Sequence, residues 1–219
     1  AGNTALGESA LDASVTGGNN TAVGRNALTT LTSGANNTAV GFDALKENTT
    51  ASNNTAVGQR SLEENTTGNK NTAFGTEALR ENTTAANNTA VGYGALLVNT
   101  TGTANVAVGA EALDANNASY CTAVGRSALG ANTTGTMNNA VGSNAMDANT
   151  TGAYNNAMGV NALGSNTTGN YNSAFGLQAM DANTTGSENA AFGAYALDAN
   201  TTASYNTAIG VQALQEATT

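Results

Sequence analysis

Residues 88–104 read Asn88-Thr89-Ala90-Val91-Gly92-Tyr93-Gly94-Ala95-Leu96-Leu97-Val98-Asn99-Thr100-Thr101-Gly102-Thr103-Ala104. This stretch decides the fold, because the chain repeats it thirteen times with variations. The consensus is N-T-A-V-G-x-x-A-L-x-x-N-T-T-G-x-x, and its marker is the glycine that closes T-A-V-G. That glycine recurs as Gly7, Gly24, Gly41, Gly58, Gly75, Gly92, Gly109, Gly125, Gly142, Gly159, Gly176, Gly193 and Gly210. Every step is 17 residues except Gly109 to Gly125, which is 16. The residue before each marker glycine is large and apolar, and the one before that is always alanine. Three after the glycine stands Ala, except for Ser61, and four after stands Leu, except for Met146 and Met180. Four before it stands Asn, except for Cys121. A fixed period of this kind is the signature of a stacked-repeat architecture.

A 17-residue unit is too short for a helix, a strand and two turns. It fits one coil of two short strands and two turns. Val, Phe, Ile and Thr around the marker glycine favour a strand. N-T-T-G reads as a turn, because Asn and Gly tolerate positive φ. The A-L stretch is assigned to the second strand, with a helical turn as the alternative that sequences such as Glu77-Ala78-Leu79-Arg80-Glu81 allow. The expected fold is therefore all-β, a parallel β-solenoid of the β-roll kind with about 13 coils of 17 residues. Residues 1–219 are read as a single repeat domain, with one 16-residue coil at 109–125. Coils stacked at about 4.8 Å would form a rod on the order of 60 Å long.

Working outward, composition sets further bounds. The chain has no Pro, Trp or His, and only 10% of its residues are charged. Its formal net charge is -9, which disfavours a basic nucleic-acid-binding face. The charge is uneven: all six basic residues lie at or before Arg126, and five acidic residues follow it with no base. One cysteine, Cys121, excludes an intrachain disulfide framework. No apolar run approaches the roughly 20 residues needed to cross a membrane, so no membrane insertion of this segment is expected. No signal peptide is visible, and Ala1 falls inside a repeat. A processed or partial chain is the expectation, with export and anchoring elements outside it.

Both faces of each strand are constrained. Ala and Val are adjacent in T-A-V-G, Ala and Leu are adjacent in A-L, and neighbours in a strand point to opposite faces. A solenoid needs only its inward face apolar, so the second face is assigned to a partner chain. The large apolar Leu and Val columns are taken as the buried face.

The columns that could carry chemistry are few. The N-T-T turn recurs at Asn48, Asn65, Asn82, Asn99, Asn132, Asn149, Asn166, Asn183 and Asn200. Each is formally an N-x-[ST] glycan acceptor, although turn chemistry explains the pattern as well. A second column begins with Asn19, Asn36 and Asn53 and becomes aromatic downstream, with Tyr120, Tyr154, Tyr171 and Tyr205. These tyrosines form a candidate ligand or interface stripe. Acidic residues recur five after the glycine, at Asp12, Glu63, Asp114, Asp147, Asp181 and Asp198, but without a calcium-solenoid pattern. Cys121 sits in the 16-residue coil, where a structural thiol is expected. With no His, there is no candidate triad or zinc site. No catalytic, cofactor-binding or metal-ligating residue is therefore assigned.

The A-[VIF]-G-x-x-A-L motif resembles the head repeats of trimeric autotransporter adhesins of the YadA-like type. It is also similar to phage-type tail-fibre repeats that carry N-T-A-[LIV]-G-x-x-A-L with N-T-T-G. The likeness spans Asn3 to Leu214. It implies a left-handed parallel β-roll assembled as a homotrimeric rod and displayed on a cell or virion surface. This repeat departs from the adhesin head unit in being longer by the N-T-T turn, and it carries no coiled-coil stalk, neck or membrane anchor. The expected function is a structural segment of an extracellular fibre or adhesin, facing a host-surface protein or glycan and without enzymatic activity. The rival reading is a Thr/Asn-rich solenoid that binds ice or glycans.

Overall fold

Only three residues of each coil form a strand, because the marker glycine and the upstream asparagine confine the extended backbone to T-A-V. The computed structural model describes residues 2–217. It is an all-β parallel solenoid with strands 17 residues apart, 16 between Val106 and Thr122, and no helix among the described residues. The strands are β1 (Thr4–Leu6), β2 (Thr21–Val23), β3 (Thr38–Val40), β4 (Thr55–Val57), β5 (Thr72–Phe74), β6 (Thr89–Val91), β7 (Val106–Val108), β8 (Thr122–Val124), β9 (Asn139–Val141), β10 (Asn156–Met158), β11 (Ser173–Phe175), β12 (Ala190–Phe192) and β13 (Thr207–Ile209).

The chain divides into two compact units, Ala1–Ala107 and Val108–Thr219. In the first, β1 to β6 pair in parallel and in register, for example Thr38↔Thr55, Ala39↔Ala56 and Val40↔Val57. In the second, β8 to β13 do the same, for example Asn156↔Ser173, Ala157↔Ala174 and Met158↔Phe175. Register is thus fixed by identity, each residue facing its counterpart in the next coil.

The expected second strand is absent. The A-L stretch is a run of turns, with left-handed φ at Asn26 (59°) and Leu28 (52°) and the same alternation in the other coils. An extended strand cannot hold such residues. The stretch still bonds coil to coil: Leu28 N–H donates to the Ala44 carbonyl at 3.1 Å, and Asp43 N–H to the Arg25 carbonyl at 3.0 Å. This backbone explains a choice in the sequence. The fourth residue after the glycine is Leu or Met and never Val or Ile, because a β-branched side chain is a severe outlier at positive φ.

The marker glycines are equally constrained. Gly142 has φ 139°, a region essentially reserved for glycine, and a Cβ placed on it would collide with the carbonyl of Gly159.

The core reverses part of the sequence reading. Between the two end coils the strand alanines point inward and are buried, as are the Ala and Leu of A-L across the interior. The Val column points outward: Val108, Val124 and Val141 are 36–37% exposed, and Phe74 is 56% exposed. A coil this short holds one long side chain opposite the strand, the leucine, so the strand can contribute only a methyl group; Leu31 adds a second leucine in the Gly24 coil, at the N-T-T asparagine position.

The rest of the interior is polar. The upstream asparagines and the N-T-T asparagines are both buried, which is rare for this residue type. Burial without partners would be costly, and the fold supplies partners in two ladders. Asn155 N–H donates to Asn138 Oδ1 at 2.9 Å, and Asn155 Nδ2 donates to the Gly169 carbonyl at 2.8 Å. In the N-T-T ladder, Asn166 Nδ2 donates to Asn149 Oδ1 at 2.8 Å and to the Gly169 carbonyl at 3.1 Å. The carbonyl after N-T-T thus ties the two ladders together.

Candidate functional site: an aromatic column beside the strand edge

The column two residues after the N-T-T-G turn requires a left-handed backbone in every coil. The first unit fills it mostly with asparagine, Asn19, Asn36, Asn53 and Asn87 at φ 58–62°, the residue type that tolerates this conformation best, with Lys70 (59°) and Ala104 (57°) as exceptions. The second unit places Tyr120, Tyr154, Tyr171 and Tyr205 there, at φ 63°, 61°, 56° and 65°. All four rings are exposed, with Tyr205 the most open at 77%.

The structure brings two of these tyrosines together. Tyr154 and Tyr171 stack with ring centroids 4.9 Å apart and planes within 6°. Met137 stands between Tyr120 and Tyr154 in the column, and Glu188 stands between Tyr171 and Tyr205. At the Tyr171–Glu188 step the surface opens into a hollow of about 480 Å³, lined by Tyr171, Ser173, Glu188, Asn189 and Ala190.

The candidate glycan acceptors are corrected by the fold. Asn48, Asn65, Asn82, Asn99, Asn132, Asn149, Asn166, Asn183 and Asn200 all lie in the buried N-T-T ladder, at most 1% exposed. The nitrogen that would carry a glycan is enclosed and bonded: Asn149 Nδ2 donates to Asn132 Oδ1 at 2.8 Å and to the Gly152 carbonyl at 3.0 Å. The folded coil has no room for a sugar at these positions.

Cys121 occupies the upstream ladder in place of Asn, and it is buried. Its Sγ lies 3.3 Å from the Gly135 carbonyl, where its neighbours place an amide donor. Burial pushes the thiol pKa up, against smaller opposing contributions from the Asn138 and Met137 backbone. The thiolate needed for reactivity is thereby disfavoured.

The acidic column does not gather into a cluster of three or more metal-ligating side chains among the described residues. Burial raises the pKa of Asp114 and Asp147, and with Asp147 the Arg126 charge opposes the shift. In the first unit, Arg60 and Arg80 each lie within 4 Å of both Glu63 and Glu77, an alternating surface square of charges.

The sequence reading missed the apolar ridge outside the strands. Met158, Phe175, Phe192 and Ile209 project there, and Val160, Leu177 and Val211 stand beyond the glycines. Phe175 and Phe192 stack at 5.0 Å with planes within 4°. The signal was present in the invariance of large apolar residues beside an alanine column, but it was assigned to the wrong side.

Comparison of the chain with protein-family models, with curated proteins and with solved structures gives no match.

Proposed function

We propose that this chain is a structural segment of an extracellular fibre or adhesin, a rigid β-roll that associates with two further copies of itself for display or attachment at a cell or virion surface. The observation that carries this reading is the apolar ridge of the second unit, with Met158, Phe192 and Ile209 exposed and Phe175 half-buried among them. Contiguous exposed apolar surface on a soluble protein marks an interaction site. The ridge repeats once per coil, so its best-matched partner is a surface repeating at the same pitch, and another copy of the chain carries one. The reading assigns no catalytic chemistry, cofactor or nucleic-acid partner to the segment. A host-surface protein or glycan is the expected target of the assembled fibre.

Analytical ultracentrifugation tests this. The expected species has about three times the chain mass of 21.5 kDa. Placing charges on the ridge, F175E with F192E, should release monomers. A folded monomer from the unaltered chain at tens of micromolar (of order a micromolar trimer affinity,) would refute the reading.

One observation favours a second reading, a ligand-binding solenoid. In the first unit the strands present Thr and Val outward on either side of each buried Ala, as Thr21 and Val23, Thr38 and Val40, Thr55 and Val57. This regular hydroxyl-and-methyl array lies on a strand face, where an ordered water layer could form. Thermal hysteresis in freezing solution would support that reading over the fibre.

A further inference from the structure

We propose that the hollow between Tyr171 and Glu188 is a carbohydrate site that holds a pyranose ring against the open face of Tyr171. The proposal uses residues of a single chain and stands apart from self-association.

The first observation is the aromatic platform. Tyr154 covers one face of the Tyr171 ring, at 4.9 Å and nearly parallel. The other face is turned toward the coil of Glu188, and Tyr171 stays 58% exposed. An aromatic face is electron-rich, and a pyranose presents a face of weakly positive C–H groups that packs against it.

The second observation is the space. The first position of each strand is most often Thr, but here it is Ser173 and then Ala190, the smallest side chains in that column. In the neighbouring column Glu188 interrupts the run of aromatic residues. The two departures coincide and together make the hollow of about 480 Å³.

The third observation is the polar equipment. Glu188, with a carboxylate, and Ser173, with a hydroxyl, are both lining residues of the hollow. A carboxylate accepts hydrogen bonds from sugar hydroxyls, and charge-assisted bonds of this kind are the stronger ones. An apolar platform with a few placed polar groups is the usual make-up of a small-molecule site.

Saturation-transfer NMR on the full chain tests the proposal. The probes are methyl α-mannopyranoside, methyl β-galactopyranoside and methyl β-glucopyranoside at about 10 mM, suited to millimolar affinity. N-acetylarginine amide serves as a cationic probe for the rival chemistry. At least one pyranoside should show saturation on its ring C–H protons. Y171A should cut that signal at least about fivefold (a loss of about 1 kcal/mol,). A190V should abolish it by filling the hollow, and its fold is safe because Val106 occupies the same strand position. E188Q should weaken it, and Y120A should leave it unchanged. Circular dichroism confirms that each variant is folded. The proposal is overturned if no pyranoside responds, if the response survives both Y171A and A190V, or if only the cationic probe responds.

Discussion

Removing one rung of the N-T-T ladder tests whether this polar interior holds the coils together. Consider Asn149→Ala. Asn149 Nδ2 is the donor to Asn132 Oδ1 at 2.8 Å, and Asn149 Oδ1 accepts from Asn166 Nδ2 at 2.8 Å. The variant leaves Asn132 Oδ1 without that donor and one proton of Asn166 Nδ2 without that acceptor, both fully buried. The Gly152 carbonyl is spared, because Asn138 Nδ2 still donates to it at 2.7 Å. Two orphaned buried groups at about 1–3 kcal/mol each, with a small added void, give a loss of about 3–6 kcal/mol. Coils couple mainly to their neighbours, so the loss should be local before it is global. Hydrogen exchange at fixed chain concentration is the assay, with protection lost around the coils of Gly142, Gly159 and Gly176. Thr150→Ser retains the hydroxyl that donates to the Thr167 carbonyl and should change stability by no more than about 0.5 kcal/mol. If Asn149→Ala lost less than about 1 kcal/mol, the ladder would be incidental, and the leucine and alanine columns alone would have to explain the stability.

Other outcomes follow from the same coil. Leu129→Met should be nearly neutral, since Met146 and Met180 occupy that column, whereas Leu129→Ile should cost on the order of 3 kcal/mol because its φ is 54°. Equal urea midpoints for the two variants would dismiss the conformational argument. Gly142→Ala should cost more than about 3 kcal/mol or prevent folding, from strain and collision with Gly159; a normal melting temperature would contradict the backbone described. Burial is the first cause raising Asp114, Asp147 and Asp198. Between the ordinary carboxylate range and the raised values the folded chain binds more protons than the unfolded one, so these groups lower stability as pH rises through that window. Asp147→Asn should therefore raise the melting temperature at pH 7 and lose that advantage at acid pH; a lower melting temperature at pH 7 would reverse the sign.

The coil and its period were legible because every constraint recurs at the same interval, and a column such as Gly7 to Gly210 has no other explanation. The strand was legible from T-A-V for the same reason. Inside and outside were not. Side-chain size suggested that Val faces inward, but the interior has room for one leucine opposite each strand, and only the outer face has room for Val141 or Phe175. The second strand failed because local residue preference says nothing of the alternating φ that Asn26 and Leu28 adopt. The N-T-T asparagines were legible as a turn but not as core, since Asn is an exposed residue on average. The tyrosine stripe could be read from the sequence. The hollow could not, because it depends on Ser173, fifteen residues and one coil earlier, lying beside Glu188 and Ala190 in a different column.

The identical registry of successive coils has a genetic consequence. The interior meets the same partners at every step, so a tandem duplication of one 17-residue segment would lengthen the molecule by one pitch and create no new kind of contact. Loss of a segment would shorten it as harmlessly. The 16-residue coil marks where this freedom stops: its missing residue comes from the turn after Asn116, while Asn116 and Cys121 stay in their buried ladders. Reach is therefore set by copy number, a property that replication slippage can alter in a single event, while the surface columns of each coil remain free to diverge one residue at a time.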